Sequence, residues 1–555
     1  MNTKMPVGVS DFKEAREGYY LVDKTQFICN LIDEHKKVTL FTRPRRFGKT
    51  LTMSMLEYFF SIDKKEEAKN LFTGLAIDKA GTTYIRHQGR YPVIFTTLKD
   101  FYNPNWDSMY RSIKLLTQDI YTPFAYLLDS SKLLPSEKEF IQQMIDGKAA
   151  PEAYQVSLKR LAMFLYKHYG IQPIILIDEY DAPLQNAYNQ GFYEEAVLFW
   201  KGWFNAALKD NGVLRFAILT GVLRVAKKSI FSGLNNLAVY SVLEHTYSDV
   251  FGFTAKEVRQ MATDLQAEAH LPELKQWYDG YTFGQTEMYN PWSVIQYFSE
   301  HCTPAPYWIS TSDNSILRQL LHHATALQIK ALQDLLQGKS IATSINPNII
   351  YRTLQIESRA LYTILLTTGY LTADTAVKQA DNRYCLRIPN EEIKRVYRLE
   401  ILDTLVQNMD SDTFEDLFDS LFTGQTEQFE MQLQALLVQF VSTYDTAHQE
   451  NFYHGFMLGM TALFLTKDYD TESNRESGYG RFDLAIFPRN LTKSGVIMEF
   501  KVAKSEDELD DKAKEALQQI ERKAYITEFQ KRNIQHVWKY GIAFYGKHVK
   551  IIQSI

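Results

Sequence analysis

Cysteine is scarce in this 555-residue chain: Cys29, Cys302 and Cys385 are the whole complement, and they lie far apart. That spacing excludes a disulfide framework and a CxxC zinc site. No apolar run approaches the roughly 18 residues needed to span a bilayer. Asp11, Lys13, Glu14, Arg16 and Glu17 interrupt the start, where a signal peptide would be apolar. A reduced, cytoplasmic protein without a membrane partner is expected. Charge of one sign is lacking as well, with 61 Lys and Arg against 66 Asp and Glu and a net charge of -5. Such a balance does not mark a nucleic-acid binder, although a local basic groove would suffice for one. Internal repeats and low-complexity linkers are also missing.

Length and aromatic side chains are plentiful. The chain is too long for one hydrophobic core, and about 150 residues per domain suggests three or four units. Apolar and charged shares of 45% and 23% are those of a globular protein. The 34 Tyr and 34 Phe are the one unusual count, and they read as a packing feature. Trp200 and Trp203 in FWKGWF sit at helical spacing and read as core in preference to base-stacking.

Three parts are expected. Residues 1–235 alternate β-type runs with amphipathic helical stretches; Val38–Thr42, Tyr91–Thr97, Ile171–Ile177 and Leu214–Thr220 read as strands of a parallel sheet flanked by helices. Residues 236–440 are mostly helical, with a T-x-x-E capping box at Thr254 and Glu257. There, Leu361–Thr368 reads as a helix ended by Gly369 and followed by two β-like segments, Tyr370–Thr372 and Tyr384–Ile388. A winged helix and a plain structural connector both fit. Residues 441–555 mix helix and strand: a helix around Tyr453–Leu465, strands Arg481–Pro488 and Gly495–Val502, a long helix near Ser505–Phe529, then strands Val537–Phe544 and Val549–Ile552. Ser505 and Glu508 read as a capping box for that long helix.

After the first strand come Arg43-Pro44-Arg45-Arg46-Phe47-Gly48-Lys49-Thr50, which match G-x-x-x-x-G-K-[ST] except that Arg43 replaces the first glycine. Gly48 allows close backbone approach, and a helix N-terminus presents free N–H groups to phosphate. Arg45, Arg46, Phe47, Gly48, Lys49 and Thr50 are the candidate nucleotide-binding residues, with Thr50 on Mg²⁺. The apolar strand Ile174–Ile177 ends in Asp178 and Glu179, the Walker B form. Asp178 would hold the Mg²⁺ shell, and Glu179 would orient or deprotonate the attacking water. The competing reading is a solvated strand end. Thr220 suits a polar sensor, and Arg224 a phosphate contact in cis or across the subunits of a homo-oligomer. Asp23-Lys24-Thr25 fits either packing beside the nucleotide or an N-terminal brace.

A second constellation lies near the end. Glu499 and Lys501 share one face of a strand, and Asp483 sits on the strand before it. Two carboxylates suit Mg²⁺, with Lys501 positioning water or offsetting charge; two edge strands with solvated charges would look the same. The polar stretch Ser473–Arg481 precedes Asp483, and Gln519, Arg522 and Lys523 follow on the long helix. His454 reads as structural or as a further member of the metal shell.

On these motifs the chain resembles bacterial AAA-ATPase-like proteins fused to a C-terminal PD-(D/E)XK nuclease-superfamily domain. The resemblance covers nearly the whole length through VGVSDFKE, YLVDKT, RPRRFGKTLT, YPVIF, LIDEYDAP, LTGVLRVAKKSIFSGLNN, WYDGYTFG, YNPWSV, LRIPNEE, SNRESGYGRFD, MEFKVA and EALQQIERKAY. It implies that Arg43 is usual among the relatives. It also implies a P-loop ATPase sheet, a helical middle and a restriction-endonuclease-like α/β domain, with ATP and Mg²⁺ as cofactors and DNA as partner. By matching position, Gly48, Lys49 and Thr50 would bind phosphate, and Asp178 and Glu179 would serve Mg²⁺ and hydrolysis. Asp483, Glu499 and Lys501 would form the nuclease triad, supported by Gln519. The functional expectation is an ATP-regulated nuclease; a nucleotide-dependent switch or scaffold that binds without cutting is the alternative.

Overall fold

Five short apolar runs form one parallel sheet: β1 (Val38–Thr42), β2 (Val93–Thr97), β3 (Ile174–Asp178), β4 (Phe216–Gly221) and β5 (Leu237–Tyr240), in the order β2-β3-β4-β1-β5. A computed structural model of the protein describes residues 4–224, 230–231, 235–308, 331, 334–336, 338–346, 358–379, 383–397, 411–440, 453–454, 457, 460–461, 469–477 and 480–554. Every residue of β1 and β3 is buried, which is why Ile174–Ile177 reads as a continuous apolar run in place of an alternating one. The helices Trp106–Tyr121, Pro151–Tyr169 and Tyr193–Leu208 supply much of the adjoining core, including Leu161, Leu165, Trp200 and Trp203. Both tryptophans are core, as their spacing suggested. β2 follows β1 in sequence but lies at the sheet edge. β4 separates β1 from β3, with Ile177 facing Leu219 and Thr42 facing Gly221. The carboxyl ends of β1, β3 and β4 therefore meet, the place where open parallel sheets bind ligands.

The chain divides into two compact units, Met1–Ser312 with Gly338–Lys394 and Asp313–Gln337 with Arg395–Ile555. This division cuts the middle third of the sequence because its pieces share cores with both ends. Val258, Met261, Leu274, Trp277 and Val294 pack with Met5 and Tyr20. Leu417, Leu421, Leu433 and Leu437 pack instead with Met498, Phe500 and Tyr540.

In the first unit, β6 (Phe253–Thr254), β7 (Tyr281–Phe283) and β8 (Thr286–Tyr289) make a small antiparallel sheet. Thr254 and Glu257 cap the helix Ala255–Asp264 reciprocally, as their spacing predicts. Farther on, the helix Ser358–Thr368 ends at Gly369, whose φ of 92° suits glycine. It leads into β10 (Thr372–Gln379) and β11 (Arg383–Arg387), and β9 (Ile341–Ser344) pairs with β11. Helix followed by hairpin is the pattern that a winged helix and a plain connector have in common. Asp23, Lys24 and Thr25 act as a brace: Asp23 accepts from Ala76 N, and Lys24 pairs with Glu257 at 2.7 Å. Among the described residues no helix is long and apolar enough to cross a membrane.

In the second unit, β12 (Tyr469–Ser477), β13 (Gly480–Pro488), β14 (Gly495–Val502), β15 (Val537–Tyr545) and β16 (His548–Ser554) form one sheet in sequence order. Only β14 and β15 are parallel, so a crossover is needed between them. The helix Leu509–Arg522 supplies it, burying Leu509, Ala513, Ala516 and Ile520 on one face. Two details depart from the sequence reading. Ser505 does not cap this helix, because the Glu508 carboxylate takes the Lys504 N–H and residues 506–508 form a tight turn first. The helix also stops at Arg522, and Ala524 turns left-handed (φ 52°) before a short helix Thr527–Lys531. Of the expected helix around Tyr453–Leu465, residues 455–456, 458–459 and 462–465 lie outside the described residues.

Glu392 is fully buried, accepting from the Ser293 hydroxyl at 2.8 and 2.9 Å and from Trp308 N at 2.9 Å. Burial pushes its carboxyl up to about 8 from an ordinary value of 4.5. The native state therefore keeps this proton while the unfolded state has lost it, so stability falls as pH rises from about 4.5 to about 8. Glu392→Gln is expected to flatten that slope and raise the melting temperature at pH 9 by several degrees. Thermal melts from pH 5 to 9 check this, and an unchanged slope in the variant would refute it.

Candidate functional site

Gly48, at φ 80°, opens the helix Lys49–Phe60, and no side chain caps its first turn. The free N–H groups and the positive end of the helix dipole together favour an anion there. Lys49 is buried and donates to the carbonyls of Arg43 (3.3 Å) and Pro44 (3.0 Å), with Glu179 Oε1 3.8 Å away. Thr50 Oγ1 donates to Asp178 Oδ2 at 2.6 Å, and the Thr220 hydroxyl donates to the other oxygen. Burial, then neighbouring Glu179, pushes the Asp178 carboxyl up, while the two threonines and Lys49 oppose the shift. Asp178, Thr50, Thr220, Lys49 and Glu179 thus gather at the carboxyl ends of β3 and β4. Glu179 adopts a left-handed backbone (φ 54°), strained for a residue with a Cβ.

The remaining loop residues separate by role. Arg43 is fully buried and points away from the helix end; its guanidinium donates to Thr42 O, Tyr240 O (both 2.9 Å) and Tyr247 O (2.8 Å). It also lies over the rings of Phe251 and Phe283, and burial pushes its pKa down to about 10. The phenyl ring of Phe47 is core, 5.0 Å from Tyr281 and 5.1 Å from Phe283, so only its main chain faces the loop. Arg46, left-handed at φ 70°, sits 4.4 Å over the Trp292 ring. Arg45 reaches Gln185 Oε1 at 3.4 Å. Arg224 follows β4, and its Nε is buried without a hydrogen-bond partner among the described residues.

The second constellation lies on β13 and β14. Gln519 and Lys501 both converge on Glu499 Oε1, the lysine at 3.6 Å. Asp483 reaches across from β13 and accepts from Phe500 N at 2.7 Å. Burial pushes the Asp483 carboxyl up; Phe500 N–H, His454 and Lys501 pull against it. His454 is buried with Nε2 2.8 Å from the Asp483 carbonyl, an arrangement that steadies the main chain beside the carboxylate. Arg522 is exposed at the helix end. The side chains of 473–481 lie outside the described residues. Among the described residues no group of three or more His, Cys, Asp and Glu side chains is placed to hold a metal ion.

Comparison with known proteins matches these two regions separately. Residues 6–231 match the family model described as "Predicted AAA-ATPase", and residues 448–554 match that of the PD-(D/E)XK nuclease superfamily. The chain carries an AAA-ATPase-like domain and a PD-(D/E)XK nuclease-superfamily domain. A curated relative, described as an uncharacterized protein in the vnfD 5' region of Azotobacter chroococcum mcd 1, is 26% identical over 540 residues. The match covers 95% of this chain and 94% of the relative, so it spans both regions and most of the segment between them.

Sequence reasoning missed residues in both domains. In the AAA-ATPase-like domain, Asp181 is buried and accepts from Val222 N (3.0 Å) and Leu223 N (2.7 Å); the signal was a third carboxylate in LIDEYDAP. In the nuclease-superfamily domain, Gly541 pairs in register with Glu499. A Cβ on Gly541 would overlap the Ala513 carbonyl and lie 2.5 Å from Leu517 N. The bare glycine lets the crossover helix approach until Gln519 reaches Glu499.

Proposed function

We propose that the protein is an ATP-binding and ATP-hydrolysing enzyme whose C-terminal domain cleaves DNA in a Mg²⁺-dependent reaction, with residues 1–235 as ATPase, 236–440 as connector and 441–555 as nuclease. Arg45, Arg46, Lys49 and the main chain of Phe47 and Gly48 hold the phosphates. Thr50 and Asp178 hold Mg²⁺, Glu179 orients the attacking water, and Thr220 and Arg224 meet the γ-phosphate. Arg224 Nε, buried without an acceptor among the described residues, fits a group that brings phosphate oxygens. Asp483 and Glu499 hold a second Mg²⁺, and Lys501 positions water or offsets charge. Bound Mg²⁺ would supply Lewis-acid charge neutralisation and a more acidic water. The donors suit it: carboxylate oxygens, and few of them, as Mg²⁺ keeps several waters. In this reading Gln519 fixes the orientation of Glu499.

The observation that carries the nuclease reading is the convergence of Lys501 and Gln519 on Glu499, with Asp483 bonded to the next peptide. Solvated charges on edge strands would not leave Glu499 buried with Lys501 and Gln519, both half-buried, turned onto one of its oxygens. Asp483→Ala and Lys501→Ala are each expected to lower Mg²⁺-dependent DNA cleavage by about 100-fold or more. Wild-type cleavage rates in either variant would overturn the proposal. ATP and DNA binding without cleavage over a broad DNA panel would instead mark a nucleotide-dependent switch or scaffold.

A further inference from the structure

We propose that Asp181 is a positioning residue that couples the nucleotide site to the segment Thr220–Arg224, so that Arg224 follows the state of the nucleotide. This rests on the nucleotide-binding reading above. Asp181 occupies the N-cap position of the helix Ala182–Asn189, where an aspartate ordinarily accepts from its own helix. Its side chain makes no such cap. It reaches back across the domain to Val222 N and Leu223 N. Forgoing the local bond for two distant ones shows where the carboxylate is used.

The neighbouring residues make the same connection. Tyr180 N donates to Thr220 O at 2.9 Å, and the Tyr180 hydroxyl donates to Leu223 O at 2.5 Å. Arg43 N donates to Gly221 O at 3.1 Å, and the Thr220 hydroxyl is held by Asp178. The main chain from Thr220 to Leu223 is thereby gripped by the phosphate loop on one side and residues 178–181 on the other. Gly221 permits the close approach: a Cβ there would lie 2.5 Å from Asp181 Oδ1 and 2.6 Å from the Tyr180 ring. The left-handed turn at Glu179 directs Tyr180 and Asp181 to this grip. A shift of Glu179 and Asp178 on nucleotide binding or turnover would therefore be passed by Asp181 to the peptide immediately before Arg224.

The test is hydrogen exchange with and without Mg-ATP on the full chain, read at residues 43–50 and 220–224, together with ATPase kinetics. In the wild type both segments should gain protection from nucleotide. In Asp181→Ala, residues 43–50 should still respond while 220–224 exchange fast and ignore nucleotide; kcat should fall about tenfold or more with KM within about threefold. Asp181→Asn, which keeps an acceptor, should recover most of both signals. A nucleotide response at 220–224 that persists in Asp181→Ala overturns the proposal. If Asp181→Ala loses its cooperative melt, Tyr180→Phe decides: a weakened response at Leu223 supports the coupling, and an unchanged one overturns it. If residues 43–50 of the wild type do not respond to ATP at all, the nucleotide reading itself has failed and the coupling falls with it.

Discussion

Arg43→Gly, which restores the general phosphate-loop pattern, is expected to cripple the first unit. Glycine fits the pattern of phosphate loops at large, but here the side chain is part of the support beneath the loop. Removing it strips Tyr240 O and Tyr247 O of their donor and empties the space between the Phe251 and Phe283 rings. Breaking a buried, charge-assisted set of this kind costs about 3–5 kcal/mol, or roughly 5 °C in melting temperature for a unit of this size. Arg43→Lys should fall between, since an ammonium keeps the charge but lacks the planar fork that spans Tyr240 O and Tyr247 O. Thermal melts and binding of a fluorescent ATP analogue report the outcome. A glycine variant that melts like the wild type and binds nucleotide more tightly would show that Arg43 only obstructs the loop.

Gly541→Ala carries the second large effect. The added methyl meets main-chain atoms of Ala513 and Leu517, which cannot swing aside as a flexible side chain could. Overpacking of this kind costs about 1–3 kcal/mol and more where backbone must move. Either the helix Leu509–Arg522 lifts or β15 bends. In both cases Gln519 leaves Glu499, and DNA cleavage should drop by about two orders of magnitude, as for loss of a positioned group. The atoms nearest the added methyl belong to Ala513 and Leu517 on the helix, so retained metal binding with lost cleavage would identify the cause as misplacement. Wild-type melting and cleavage together would refute the account.

The strands and the two constellations were legible because each rests on a local rule. Continuous apolar runs mark strands buried on both faces, and alternate residues of one strand share a side, which set Glu499 beside Lys501. Gln519 was visible on the long helix, and the resemblance added its place beside the triad. What escaped depends on partners far along the chain. Nothing near Arg43 announces that its acceptors are Tyr240 and Tyr247, and nothing near Asp181 points to Val222 and Leu223. Ser505 failed as a cap because the S-x-x-E pattern does not reveal which backbone N–H the glutamate takes. The middle third was the least legible part, since its later helices owe their burial to strands far along the chain, as where the Leu421 carbonyl accepts from the Tyr540 hydroxyl at 2.6 Å.

The aromatic surplus bears on how genetic lesions should be grouped. Phe47 rests on Tyr281 and Phe283, Arg46 on Trp292, and Arg43 on Phe283 and Phe251. By position these partners belong to the middle of the chain, Tyr281 and Phe283 in WYDGYTFG, Trp292 in YNPWSV and Phe251 ahead of both, beyond the stretch matched to the AAA-ATPase-like family. By mechanics they are the floor of the loop at residues 43–47. Alleles at residues 281–292 therefore sort with alleles at 43–47, and a screen that assigned them to a separate regulatory region would divide one phenotype into two.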